Sequence, residues 1–261
     1  GKHCSPYFFS TSWNNDQTPE SMGKLLQEEA IDNVYLLTAN YQAGKDMLAG
    51  FSRYYKKNIT GKILYKLGQT DFQAEISQVR AAKPGAIFGF FPGGMGIAFV
   101  KQYKAAGLDK TTPLYSVFTV DHMTLKGHGK AAIGTFHTNY WDIDSKNPVN
   151  QRFIKDFKAK YGYHPSHFSA QAYDAPLLID SAVRAVNGDL SNKDGMRDAM
   201  RKADFKSIRG KFAYNTNHIP IQNFYKREVV ENADGSTKIV TRGVVFENHK
   251  DAHYKDCKMK W

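Results

Sequence analysis

Residues 33–44, NVYLLTANYQAG, join a short apolar run, Val34 to Leu37, to a polar turn that holds Tyr41 and Gly44. A run of that length fits a parallel strand covered on both faces, and by periodicity alone it also fits a buried helix segment. Residues 45–57 then place Met47, Leu48, Phe51, Tyr54 and Tyr55 at helical spacing, so the unit reads strand, polar turn, helix. In open parallel sheets, ligands sit beyond the carboxyl ends of the strands, where such turns lie. Tyr41 is on that ground a ligand-contact candidate. The alternative is a ring that packs the helix entrance.

The same rhythm repeats downstream. Ahead of the first unit, Thr18-Pro19-Glu20 marks a helix start, with proline in the first turn and an acidic residue matching the helix dipole. Residues 63–67 form a second apolar strand led by Gly61. Asp71 reads as an N-cap, and Phe72, Ile76 and Val79 keep helical spacing until Lys83-Pro84. The third strand, 86–91, ends in Pro92-Gly93-Gly94-Met95-Gly96, where glycines let backbone N–H groups approach a ligand or simply close a tight turn. A fourth strand, 114–118, ends at Thr119-Val120-Asp121. The pattern βαβαβαβ with short loops predicts a doubly wound parallel sheet.

After Ile133 the pattern changes. Residues 135–141 read as extended, and three helical stretches follow near 149–161, 166–186 and 194–203. Phe153, Ile154 and Phe157 make one apolar stripe; Ala172, Ala175, Leu178, Ile179 and Ala182 make another. Residues 224–230 and 239–246 read as a hairpin about Asn232-Ala233-Asp234-Gly235.

At 261 residues the chain is long enough for one large or two modest α/β domains, and 41% hydrophobic residues provide a sizeable core. No run approaches the roughly 20 apolar residues of a membrane helix. The opening GKHCSPYFF lacks the layout of a secretory signal, as a mature protein, a fragment or a cytosolic chain would. The net charge of +11 is spread along predicted helix faces rather than gathered in a basic block, which argues against a nucleic-acid partner. Cys4 and Cys257 lie near the two ends. In a reducing compartment they would be two free thiols; in an oxidising one, a single bridge joining the termini, and the bridge is the expectation. On the chain-entropy view, closing so long a loop stabilises the fold by about 5 kcal/mol.

Signals for chemistry are thin. Nine histidines show no HExxH spacing, and His164-Pro165-Ser166-His167 is interrupted by proline, so no metal centre is predicted. The glycine-rich turn lacks the Lys-Ser/Thr of a phosphate loop, no dinucleotide fingerprint has the right spacing, and there is no GxSxG. Neither a catalytic residue nor a cofactor is assigned, and the chain is read as a non-enzyme.

One ordered set of motifs carries a resemblance. Tyr41-x-x-Gly44, Asp71-Phe72 opening a helix, the strand ending in Pro-Gly-Gly, Lys101-Gln102-x-x-x-Ala106-Gly107-Leu108 and Phe168-Ser-Ala-Gln171-Ala-Tyr173-Asp174-Ala175 together resemble the type I periplasmic solute-binding proteins of ABC importers, the branched-chain amino acid family. The resemblance spans essentially the whole chain and rests on order and spacing. It implies an α/β fold of two lobes joined by three crossings that close on a ligand, export to the periplasm, a membrane permease as partner, and a monomer.

Carried onto this chain, residues 1–13 would end lobe one and form a crossing, 14–133 would be lobe two, 134–221 the helical return to lobe one, and 222–261 the lobe-two tail. The family's lobe one draws most of its strands from before a Gly-Lys-x-Cys position, which is where this sequence begins. Helices 149–203 would then lack the sheet they cover, and an N-terminal part of lobe one is expected to precede Gly1; the alternative is a short variant with another partner. By the same resemblance Tyr41, Phe91, Gly93, Phe118 and Asp121 would line the cleft from lobe two, and Phe168 and Gln171 from lobe one. Trp13 joins them from its place at the crossing. Amino-acid binders of the family pair the ligand ammonium with an acidic residue near the fourth strand's end; the aligned position here is Phe118, with Asp121 three residues later. An aromatic-lined slot for an aromatic or phenylpropanoid carboxylate is therefore the expectation. Branched-chain amino acid binding and a sensory ligand-binding module are the alternatives.

Overall fold

The computed structural model describes residues 1–260, and the chain divides into two compact units. One holds Gly1–Gln17, Tyr140–Asn223 and the chain from Phe246 onward; the other holds Thr18–Asn139 and Phe224–Val245.

The second unit is a doubly wound α/β layer structure. Its elements are α1 (Gln17–Glu28, all but its first residue), β1 (Asn33–Ala39), α2 (Gln42–Tyr54), β2 (Asn58–Tyr65), α3 (Gln73–Ala82), β3 (Ala86–Phe90), α4 (Gly94–Ala105), β4 (Leu114–Ser116), α5 (Leu125–His128) and β5 (Phe136–Asn139). Strands β2, β1, β3, β4 and β5 lie side by side and parallel, with Leu37 opposite Gly89 and Ser116 opposite His137. Six of the seven residues of β1 are buried, as a strand covered on both faces requires. On one face Tyr35, Leu37, Ile87 and Phe91 pack against Phe72, Ile76, Val79, Phe99 and Tyr103 of the α3–α4 side. On the other, Phe88 stacks on Phe51 of α2 with ring centroids 4.3 Å apart.

Several boundaries differ from the sequence reading. Strand β2 begins at Asn58, five residues before the apolar run, because parallel pairing with β1 starts at Asn33↔Asn58 even though the early residues are exposed. The N-cap of α3 is Phe72 rather than Asp71, whose carboxylate instead accepts the Gln73 N–H at 3.1 Å. Strand β4 stops at Ser116, since Phe118 adopts a left-handed backbone (φ 49°) that ends pairing.

The two remaining long strands are β7 (Pro220–Glu231) and β8 (Thr237–His249), which pair with each other and each place residues in both units. Within the second unit β7 runs antiparallel to β5, with Asn139 opposite Tyr225. The connecting turn is closed by the Asn232 and Gly235 N–H groups, which donate to the Ser236 and Asn232 carbonyls.

The first unit is mainly helical: α6 (Pro148–Tyr161), α7 (His167–Ala185) and α8 (Lys193–Lys202), with the short β6 (Ala213–Tyr214) paired to the start of β7. The sequence places the apolar rail of α7 at Ala172, Ala175, Leu178, Ile179 and Ala182. The buried rail is instead Ala170, Asp174, Leu178 and Ala182, and Ile179 is half exposed. A groove of about 1090 Å³ runs among α6, α7 and α8, floored by Val149, Tyr173, Leu177 and Phe205. Cys4 and Cys257 are joined by a disulfide in this unit.

Gly44 shows how tightly the strand–turn–helix unit is closed. A Cβ there would lie 1.8 Å from the Ala39 carbonyl oxygen, so only glycine lets α2 approach the end of β1. Gly44→Ala is expected to destabilise the chain by about 3 kcal/mol, read as a lower urea midpoint at unchanged m-value.

Candidate functional site

The candidate residues fall into two sets, one on each unit. In the second unit they stand at the carboxyl ends of β1, β3 and β4. Tyr41 caps α2 with an extended backbone and lies parallel to Phe90, ring centroids 6.1 Å apart. Phe90 in turn meets Phe118 edge to face at 6.3 Å. Tyr41 and Phe118 are half-buried, whereas Phe90 is nearly covered, so the three rings form an aromatic set with two accessible members. The Tyr65 hydroxyl donates to the Phe90 carbonyl at 2.7 Å and fixes the strand end beneath them. Burial raises the Tyr41 hydroxyl above the ordinary tyrosine range, which keeps it neutral.

Phe91 is not part of this set. It is fully buried, stacked on Phe99 at 3.9 Å and flanked by Tyr65 and Phe72. Alternation along β3 puts Phe91 on the α3–α4 face and Phe90 on the other, so the ligand-side candidate is its neighbour. The run AIFGFF carries a ring at both positions, and only the packing of the two helical layers tells them apart.

Gly93 and Asp121 have clear local work. Gly93 adopts φ 60°, ψ −130°, a conformation for glycine, and its carbonyl accepts the Gly96 and Ile97 N–H groups that open α4. Asp121 Oδ1 accepts from the Met123 and Thr124 N–H groups at 2.8 and 3.0 Å and lies 3.3 Å from the Thr124 hydroxyl. That oxygen organises the turn into α5, an Asx-type arrangement, and is committed to its own loop.

In the first unit the candidates gather around the start of α7. Ser166 caps the helix through a reciprocal pair with Ser169, which puts His167 and Phe168 in its first turn and Gln171 one turn later. The Trp13 ring lies 5.3 Å from Tyr140, 5.5 Å from His167 and 5.7 Å from Phe168. Phe168 is 41% exposed and Trp13 half-buried, so the cluster presents an aromatic face. The Tyr140 hydroxyl donates to the His167 carbonyl at 2.7 Å and lies 3.3 Å from Gln171 Oε1; burial pushes its pKa up. The Gln171 carbonyl accepts from the Thr11 hydroxyl. Gln171 therefore ties residues 11–13 to α7.

Arg209 underlies this face. Its Nε donates to Asp174 Oδ2 at 2.9 Å, Nη1 to Gln222 Oε1 at 2.7 Å and Nη2 to the Thr11 carbonyl at 2.8 Å. Its guanidinium lies 5.4 Å from the Tyr140 ring centroid and 4.7 Å from that of Phe212. Asp174, fully buried, also accepts from the Ser207 hydroxyl and the Ile208 N–H, and Gln222 donates to the Ser12 carbonyl. Arg209 so holds the Thr11 carbonyl directly and the Ser12 carbonyl through Gln222, both immediately before Trp13. The sequence reading reaches Trp13, Phe168 and Gln171 but not Tyr140, His167 or Arg209. Asp174 inside an apolar helical pattern is the signal that a buried cation lies across from it.

Among the described residues no three His, Cys, Asp or Glu side chains are grouped to hold a metal ion, and no helix is long and apolar enough to cross a membrane.

Comparison with known proteins adds a second line of observation. The family model described as periplasmic binding protein matches residues 1–236. No curated protein matches the chain. Among solved structures, a solute-binding protein of an ABC transporter from Rhodopseudomonas palustris, in complex with benzoate, is 31% identical at a TM-score of 0.88, over 98% of this chain and 70% of that one. A second, from R. palustris BisB5 in complex with 3,4-dihydroxybenzoic acid, is 27% identical at a TM-score of 0.82, over 95% of this chain and 69% of that one. A leucine-binding protein from Thermotoga maritima shares the fold at 18% identity and a TM-score of 0.77, over 93% and 69%.

Removing Arg209 leaves the buried Asp174 carboxylate without its cation. Arg209→Ala is expected to cost about 3–5 kcal/mol of stability in chemical unfolding, against about 1 kcal/mol or less for exposed Arg152→Ala.

Proposed function

The chain belongs to the periplasmic binding protein family, and from that premise we propose that it binds a small aromatic carboxylate and delivers it to a membrane permease. It has the type I fold of the ABC-transporter solute-binding proteins. Such proteins bind and hand over rather than transform their ligands, and no catalytic constellation is assigned to this chain. Tyr41, Phe90 and Phe118 are the aromatic candidates of the second unit; Trp13 and Phe168, with Tyr140 and Gln171 as polar neighbours, are those of the first. Export to the periplasm and a monomeric state complete the reading.

The observation that carries the ligand class is Phe118. Its ring stands half-exposed at the end of β4 on a left-handed backbone, a conformation costly to a bulky side chain and retained where a site needs it. The nearby carboxylate, Asp121, has Oδ1 committed to loop hydrogen bonds rather than offered to an ammonium. An aromatic ring at the strand end favours stacking on a flat ligand over pairing with an α-amino group. The benzoate and dihydroxybenzoate complexes of the two similar R. palustris proteins agree with that chemistry.

A native-state ligand raises the unfolding midpoint by linkage, so benzoate and hydroxybenzoates are expected to raise it and leucine to leave it unchanged. A leucine shift without an aromatic-acid shift would overturn the ligand class. Phe118→Gly separates site from scaffold, because glycine accepts the left-handed backbone without strain. Stability should change by no more than about 1 kcal/mol while aromatic-acid affinity falls about tenfold or more; Tyr41→Ala should weaken binding likewise. Unchanged affinity in both variants would remove these rings from the site.

A further inference from the structure

Strand register in the second unit sets Leu37, Gly89, Ser116, His137 and Arg227 in one lateral row on the α3–α4 face of the sheet. The row starts apolar and turns polar. Ser116, His137 and Arg227 are all buried, with exposures of 0%, 4% and 2%. Across from them on α5, His128 is 1% exposed and close enough to His137 for their charges to interact.

Most of this polarity has no protein partner. Among the described residues neither ring nitrogen of His137 has a partner at full hydrogen-bonding geometry, the neighbouring Phe136 backbone making only a weak approach, and Ser116 Oγ and His128 Nδ1 have none either. The tautomer of His128 follows from its other nitrogen. Nε2 is 3.1 Å from the Thr119 carbonyl, which can only accept, so Nε2 carries the hydrogen and Nδ1 is a bare acceptor. Burial, with Arg227 and His128 nearby, pushes His137 down to about 3, leaving a neutral ring with one donor and one acceptor.

Orphaned polar atoms at such depth are costly, and native interiors satisfy them with ordered water when no side chain does. The demand here is two-sided. Ser116 and the N–H of His137 can donate; His128 Nδ1 and the bare nitrogen of His137 need a proton given to them. A halide beside Arg227 would supply no proton, and a metal cation would be repelled by the guanidinium. We propose that Ser116, His137 and His128 form an internal water site between the sheet and α5, distinct from the aromatic candidates for ligand contact. Its water bonds to the last residue of β4 and to the histidine that grips the Thr119 carbonyl. The site thus pins both ends of the short segment that carries Phe118.

A crystal structure of the chain, with a parallel crystal soaked in sodium bromide, tests this. A water within hydrogen-bonding distance of both Ser116 Oγ and a His137 ring nitrogen, with no bromine anomalous peak at that position, is the expected result. A bromide peak would make it an anion site, and a dry void or a protein atom in that place would remove the site altogether. In solution, oxygen-17 relaxation dispersion should count one fewer long-lived water in His137→Phe or, if that variant does not fold, in Ser116→Ala. An unchanged count would contradict the assignment.

Discussion

A parallel strand covered on both faces has little room for polar side chains except at its ends, and the second unit is built around that constraint. Val34 to Ala39 of β1 are all buried, as is every residue of β3 and β4. The candidate ligand contacts accordingly stand at the turns after the strands: Tyr41 beyond β1, Phe90 at the end of β3 and Phe118 beyond β4. The close approach of α2 to the Ala39 carbonyl at Gly44 keeps the first of these turns short. On the α3–α4 face Ser116 and His137 stand side by side in one row, and their unpaired atoms call for a shared partner rather than separate ones.

The first unit uses a buried ion pair for a comparable purpose. Arg209 and Asp174 are expensive to desolvate, and their pairing alone is weak evidence for stability. Their worth lies in direction: a guanidinium with three acceptors holds the Thr11 carbonyl, Gln222 and Asp174 at once and lies over the Tyr140 ring. The segment carrying Trp13 has little regular structure of its own, so its position depends on these long-range bonds.

Much of the architecture was legible from period and punctuation, because strand–turn–helix units write themselves as an apolar run, a polar turn and a helical stripe. The order of motifs was enough to indicate the solute-binding family. Strand ends were less legible: the left-handed Phe118 stops β4 two residues early, a backbone event with no side-chain signature. The choice between Phe90 and Phe91 turned on which helical layer each ring meets, and two adjacent phenylalanines cannot disclose that. Arg209 lies 35 residues from Asp174 and 198 from Thr11 in sequence, so its role could be seen only once the chain was folded. The buried polar row was hidden for the same reason, since a histidine and a serine in separate strands become neighbours through register alone.

The central claim is that strand-end aromatics select a flat carboxylate over an amino acid. Saturation-transfer difference NMR on an equimolar mixture of 4-hydroxybenzoate and leucine tests it directly. The account predicts transfer to the aromatic ring protons, lost in Phe118→Gly, with none to the leucine methyls. Transfer to the leucine methyls with silent ring protons would contradict it.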